Sequence, residues 1–202
     1  MAIKKVIFDL GNVLVKFNPK NLFRKIFTTE EEVDFFLHNI CTWDWHIQQD
    51  LVYDTSQAAT PLIQKYPQYK EAIEAFYERF LEMIEGNYEA NIQLALSIQK
   101  LGYPIYILSN FPGDQFEKYR HNNNYIDQFD DRIISGDVGL AKPDKKIYEL
   151  AIKKFNLVPE NSLFIDDKIE NIKGADSVGI KTIHLRKPED LKILINKFIN
   201  VD

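Results

Sequence analysis

The sequence predicts an α/β fold, a three-layer parallel sheet carrying helices on its faces, with a helical subdomain inserted after the first strand. Three features point there. In the C-terminal half, short apolar runs of strand length alternate with longer amphipathic stretches, the pattern of βα units stacked on a parallel sheet. Gly102, Gly179 and Pro188 punctuate that alternation with stop and start signals. Residues 18–86, by contrast, lack strand-like runs and are dense in aromatic and acidic side chains.

In chain order, the first strand is expected over residues 3–8 (IKKVIF). The inserted subdomain follows over 18–86, read as several packed helices, with hinges near 16–19 and 85–89. Inside it, Thr29 followed by Glu32 has the spacing of a capping box. The remaining strands are expected at 104–108, 132–134, 162–165 and 181–185, and the helices at 88–101, 144–156, 168–178 and 188–200. The last helix would place Leu191, Leu194, Ile195 and Phe198 on one face. Residues 1–17 and 87–202 would then form one core domain and 18–86 a second unit.

The 202 residues, 45% hydrophobic and 27% charged, suffice for one sizeable core and exclude disordered, collagen-like and coiled-coil chains. A net charge of −5 gives no overall pull toward nucleic acid or anionic membranes, so neither is an expected partner. The single cysteine, Cys41, has no internal disulfide partner, and the opening MAIKKVIFDL lacks a secretory pattern. A soluble protein of the reducing cytoplasm is expected. No apolar stretch approaches the roughly 18 residues of a membrane-spanning helix. No motif specifies an oligomeric state.

Four sites carry chemistry, each with an ordinary alternative. Asp9 ends the first strand just before a turn at Leu10-Gly11-Asn12, at the edge where open α/β sheets bind ligands, yet an aspartate there also serves as a turn former. Ser109 and Asn110 end the second predicted strand, where a loop cap is the plain reading. Lys142 precedes Pro143 and a helix start, although a lone surface lysine is usually solvated. Asp166 and Asp167 follow an apolar strand, with Asn171 and Gly174 on the next helix; one acid would cap that helix, and two exceed what capping requires.

Together these positions converge on one edge of one sheet. Three carboxylates crowded there repel one another, and a divalent oxygen-seeking ion such as Mg²⁺ would offset that repulsion while keeping sites for water and a substrate phosphate. Lys142 adds a positive charge that a metal site alone does not need, so the unmet partner is an anion, and phosphate fits.

With these residues in place, the sequence resembles the haloacid dehalogenase-like (HAD) superfamily over essentially its whole length. The ordered motifs are Phe8-Asp9-Leu10-Gly11-Asn12-Val13, Ser109-Asn110, Lys142-Pro143-Asp144 and Asp166-Asp167 with Asn171. Each is weak singly, and the ordered set is specific. The resemblance implies a Rossmann-like core with an inserted helical cap, and it is similar to bacterial small-molecule phosphatases, including enzymes of sugar phosphates such as glucose 1-phosphate. It further implies Asp9 as nucleophile, forming an aspartyl-phosphate. Asp9, Asp167 and the Gly11 carbonyl would hold Mg²⁺, with Asp166 acting directly or through water. Ser109 and the Asn110 N–H would hold phosphate oxygens, Lys142 would neutralise them, and Asn171 and Gly174 would be structural. The expected partner is a small phosphorylated metabolite.

One departure matters. Most phosphatases of the superfamily carry a second aspartate two residues after the nucleophile as general acid and base, and here that position is Gly11. A missing general acid costs on the order of 10²–10⁴ in rate for a poor leaving group. Three explanations stay open: a good leaving group such as an anomeric phosphate, a proton supplied by the cap, or weak activity. A low-turnover phosphate-binding or regulatory protein follows from the last. A 2-haloacid dehalogenase, which also lacks that aspartate, is disfavoured by the retained pair Asp166-Asp167.

In the insert, the segment Cys41 to His46 offers Trp43 and Trp45 either to a substrate or to packing between helices. His38, His46, His121 and His184 show no metal-ligand spacing, and His184, ending a strand, is most simply satisfied by backbone. Asn122 to Asn124 read as a polar turn. Asp130 and Asp131 fall at the starting edge of a strand, opposite the site.

Overall fold

The computed structural model describes residues 2–52, 54–55 and 58–201. Met1 and Asp202, the outer limits of the expected core domain, and Tyr53, Ser56 and Gln57 of the expected insert lie outside the described residues. The chain begins with strands β1 (Lys5–Phe8) and β2 (Val15–Phe17). Helices α1 (Lys20–Phe23), α2 (Glu30–Asn39), α3 (Trp43–Gln49), α4 (Thr60–Lys65) and α5 (Lys70–Glu78) follow, then β3 (Ile84–Asn87) and α6 (Glu89–Lys100). Next come β4 (Ile105–Ser109), α7 (Gly113–His121), β5 (Asp131–Ile134), α8 (Ser135–Val138) and α9 (Lys145–Lys154). The chain closes with β6 (Ser162–Asp166), α10 (Ile169–Asp176), β7 (Lys181–His184) and α11 (Leu191–Ile195).

The five expected strands form one parallel sheet in the order β5-β4-β1-β6-β7. Strand β1 is central because it is buried on both faces, and its alternation divides the core. Val6 and Phe8 point into a cluster shared with Ile92, Ile98, Leu191 and the inserted helices, while Ile7 points into a second cluster with Tyr148, Phe164 and Ala175. Helices thus cover both faces, and each fully buried large apolar side chain contributes about 1.5–3 kcal/mol. The chain moves outward from β1 through β4 and β5, then crosses back to β6, so the C-terminal ends of β1 and β6 flank the point where the winding reverses.

The inserted helices pack through aromatic rings: Phe23 and Phe36 lie 4.7 Å apart by centroid, and Trp45 and Phe76 4.9 Å. The capping box is present, Thr29 Oγ1 accepting from Glu32 N at 3.2 Å and Glu32 Oε2 accepting from Thr29 N at 3.0 Å. Asp131 opens β5 and Asp130 accepts from Ile105 N at 2.8 Å, so both sit at the starting edge of the sheet.

Three expectations need correction. Residues 18–86 do contain a strand residue run: β3 begins at Ile84 and pairs antiparallel with β2, Val15 opposite Asn87, where hinges were expected. These strands are too short to carry a period, and Gly86, at φ 138°, breaks the apolar pattern; the pairing itself forms them. The last helix is shorter than 188–200, ending at Ile195, with Leu191, Ile195 and Ile199 buried and Phe198 exposed. The polar helix α7 was not anticipated, since seven of its nine residues, GDQ-EK-RH, are not apolar.

Candidate active site

Strand β1 delivers Asp9 to the sheet edge. Its N–H donates to the Ile165 carbonyl at 3.0 Å, extending the pairing with β6 by one residue, and its Oδ1 accepts from Leu10 N at 2.7 Å. The chain then turns through Asn12 at φ 54°, a left-handed conformation that asparagine tolerates better than most residues. From that turn Asn12 Nδ2 donates to Asp167 Oδ2 at 3.2 Å, tying the loop after β1 to the loop after β6.

Lys142 is fixed from behind by Asn110. The Asn110 side chain accepts from Lys142 N and donates to Lys142 O, both at 2.9 Å. So held, the ammonium lies 2.9 Å from Asp9 Oδ1 and 2.6 Å from Asp166 Oδ2, with Lys142 only 2% exposed. Asp166 is saturated: it also accepts from Lys168 N at 2.8 Å and from Asn171 Nδ2 at 3.0 Å on each oxygen. Burial without partners is costly for an ion pair, and this geometry offsets it with hydrogen bonds on every side. Gly174 allows it: a Cβ there would meet Tyr148 Cε2 at 2.6 Å and Pro143 O at 2.8 Å, so α10 packs flush against the lysine's loop.

One ammonium serves more carboxylates than it can neutralise. Burial pulls Lys142 down, and Asp166 and Asp9 more than offset this, leaving it above the ordinary ammonium value and charged. Asp9 is raised above the usual carboxylate range by burial, against the pull of Lys142 and a hydrogen bond from Ser109. Asp167 is raised by burial and by Asp9. Oxygens of Asp9, Asp166 and Asp167 lie within 4.8 Å of one another. With Asp166 fully bonded, Asp9 and Asp167 keep open lone pairs, and a hard divalent cation suits such an all-oxygen, charge-deficient set.

Asp9, Gly11, Ser109, Asn110, Lys142 and Asp167 line one cavity of about 70 Å³, space for a few water-sized groups. Asp166 lies behind it, fully buried, and Asn171 joins the lining. His184 Nε2 donates to the Asp167 carbonyl at 3.0 Å, the backbone partner expected of a strand-end histidine.

The insert closes the cavity with Asp50 and Phe80, which sequence reasoning did not single out, together with Trp43 and His46, and Phe17 at the end of β2, also not singled out, completes that wall. Trp43 stacks on His46 at 4.9 Å and carries the Lys168 ammonium 3.6 Å from its ring centre, bridging α3 to the start of α10. Trp45 packs on Phe76 and Tyr77 instead, between helices. Burial pushes His46 down to about 3 and Asp50 up to about 8. Nothing local marks Asp50: it caps the end of α3 in the run IQQD, and only the tertiary contact turns it inward.

The family profile of haloacid dehalogenase-like hydrolases matches residues 3–179. A sesquiterpene phosphatase of Aspergillus oryzae is 33% identical over 192 residues, 91% of this chain and 90% of that protein. A glyceraldehyde 3-phosphate phosphatase of Pyrococcus abyssi is 33% identical over 94 residues, 45% of this chain and 39% of that one. Among solved structures, a HAD family enzyme of Bacteroides thetaiotaomicron superposes with TM-score 0.74 at 22% identity, covering 96% of this chain and 99% of that chain. A mutant of it, solved with magnesium and inorganic phosphate, superposes with TM-score 0.70 at 21% identity over 91% and 94%. The chain, with its ordered strand-end motifs meeting around one cavity, belongs to the haloacid dehalogenase-like hydrolases.

Proposed function

We propose that this hydrolase is a Mg²⁺-dependent phosphatase of small phosphomonoesters, sugar phosphates among them, acting in the cytoplasm, where the buried and unpaired Cys41 stays reduced. The observation that carries the reading is Asp9, an acid at the end of the central strand, with Lys142 at 2.9 Å and Asp167 in the same cavity. Phosphoryl transfer is catalysed mainly by positioning and charge, and this cavity offers both. The relatives named for phosphatase activity and the neighbour solved with magnesium and phosphate support the same choice.

Asp9 attacks phosphorus in line, and its carboxylate becomes the acyl phosphate that water later cleaves. Lys142, held by Asn110 and Asp166, lies beside the nucleophile and relieves its repulsion by the anionic ester. Ser109, which donates to Asp9, turns to a phosphoryl oxygen when the ester is present, and the Asn110 N–H serves a second one. Asp9, Asp167 and the Gly11 carbonyl would hold Mg²⁺, which supplies charge neutralisation of the phosphoryl oxygens. Asp166 anchors Lys142 and would serve the cation directly or through water. Residues 18–86 act as the cap, and the partner is a small phosphorylated metabolite.

The test is hydrolysis of p-nitrophenyl phosphate. Wild-type turnover should depend on Mg²⁺, stop with a chelator, and fall by at least about 10³ in Asp9→Asn. Turnover that survives both Asp9→Asn and chelation would exclude the reading.

A further inference from the structure

Cleaving an alkyl phosphate needs a proton on the departing oxygen, and the position expected to supply it is Gly11. That position is not glycine for lack of room: a Cβ placed there meets no atom within 4 Å. The proton must come from another group on the cavity wall, and the titratable groups there can be weighed in turn. Asp9 is the nucleophile and Asp167 is bonded by Asn12. Lys142 is held between Asp9 and Asp166. Lys168 lies over the Trp43 ring. His46 is buried and neutral, with no proton to spare beyond its ring N–H. Asp50 remains.

Asp50 is only 4% exposed, and its Oδ1 has no hydrogen-bond partner among the described residues. The nearest titratable nitrogen, His46 Nε2, stands 3.7 Å away, too far to donate. A buried carboxyl oxygen without a partner is unfavourable unless a ligand or a proton satisfies it. Its backbone, in contrast, is held firmly: the Asp50 carbonyl accepts from Ser135 Oγ, and Gly113 N donates to Val52 O at 3.1 Å. The group is therefore fixed in place on the cavity wall while its carboxyl end is left free.

Building on the phosphatase reading, we propose that Asp50 is the general acid and base of this enzyme, replacing from the inserted helices the carboxyl group that Gly11 lacks. As Asp9 Oδ bonds to phosphorus and the ester P–O bond breaks, the Asp50 proton passes to the departing alkoxide oxygen, releasing an alcohol. The Asp50 carboxylate then takes a proton from water, whose oxygen attacks the acyl phosphate and displaces Asp9. The net reaction is ester plus water to alcohol plus phosphate, with Asp9 and Asp50 restored. Burial, opposed by Lys168, seconded by Asp9 and opposed again by Lys142, keeps Asp50 protonated up to about pH 8, so the acid form is present in neutral solution.

The experiment compares two esters in wild type, Asp50→Asn and Asp50→Ser with saturating Mg²⁺. The value of kcat/KM reports the steps through release of the leaving group. For a simple alkyl phosphate such as glycerol phosphate it should fall about 10²–10⁴ in both variants. For 2,4-dinitrophenyl phosphate, whose leaving group needs no proton, it should stay within about threefold, which also shows that the variants fold and bind. Equal losses on both esters, or no loss on either, would overturn the role of Asp50. Wild type that cleaves neither ester would overturn the phosphatase reading along with it, whereas a wild type active on both leaves the two conclusions separable.

Discussion

Asp166 and Asp50 are both buried carboxyl groups near Asp9, yet Asp166 accepts four hydrogen bonds on its two oxygens while Asp50 Oδ1 has no partner among the described residues. The first belongs to the sheet edge, where adjacent strand ends impose the geometry and the carboxyl group is matched from within the protein. The second belongs to the inserted helices, where the fold supplies burial but not partners. Saturated polar networks fix a structure, and unsaturated ones await a ligand or a proton. The sheet wall thus sets Asp9 and its charge environment, and the helical wall carries the unused bonding capacity on which the proposed acid chemistry draws.

The strongest way to break this contrast is Lys142→Met. It leaves Asp9 and Asp166 buried without their shared cation, and breaking such a pair costs about 3–5 kcal/mol. Thermal unfolding should shift sharply downward, and added Mg²⁺ should recover part of the loss by restoring positive charge; a melting temperature equal to wild type would show that the sheet wall does not depend on the lysine.

Gly174→Ala is a smaller insult to the same wall. The methyl group meets Tyr148 and Pro143 O at under 3 Å, so α10 must move and carry Asn171 away from Asp166. A loss of about 1–3 kcal/mol in urea unfolding is expected, together with reduced turnover; unchanged stability would mean that the helix has slack which the packing does not reveal.

The helical wall should respond with the opposite sign. Asp50 is held up at about 8, above the usual carboxylate value of the unfolded chain, so the folded state keeps its proton while the unfolded state sheds it. Its contribution to stability is then lost as pH rises from about 4 toward 8. Asp50→Asn, always uncharged, should unfold at nearly the wild-type temperature at pH 4 and several degrees higher at pH 7, at about 2–4 °C for each kcal/mol recovered, measured by calorimetry. A variant less stable than wild type at both pH values would refute the picture of an unmatched carboxyl group.

How much of this was readable in the sequence follows the same division. Five strands and Asp9, Ser109, Lys142 and Asp167 were legible because each chemical residue directly follows an apolar run or a turn signal, so local pattern and location coincide. The Asn110 clasp on Lys142 was not, since a side chain bonding main chain 32 residues away leaves no periodic trace. The β2 and β3 ribbon was missed because it exists only through pairing between segments separated by the whole insert. Asp50 was invisible for a related reason: it ends a seven-residue helix, and its inward position comes from Ser135 and Gly113, far along the chain.

The bonds from Ser135 Oγ and Gly113 N, and Gly136, where a Cβ would meet Gly113 N at 2.3 Å and Val52 O at 2.7 Å, weld the stretch after α3 to α7 and α8. The proposed proton source is thereby moored to α7 and α8 beside the sheet, although it belongs to the inserted helices. A displacement of helices elsewhere in the insert would leave those anchors, and with them the place of Asp50, intact.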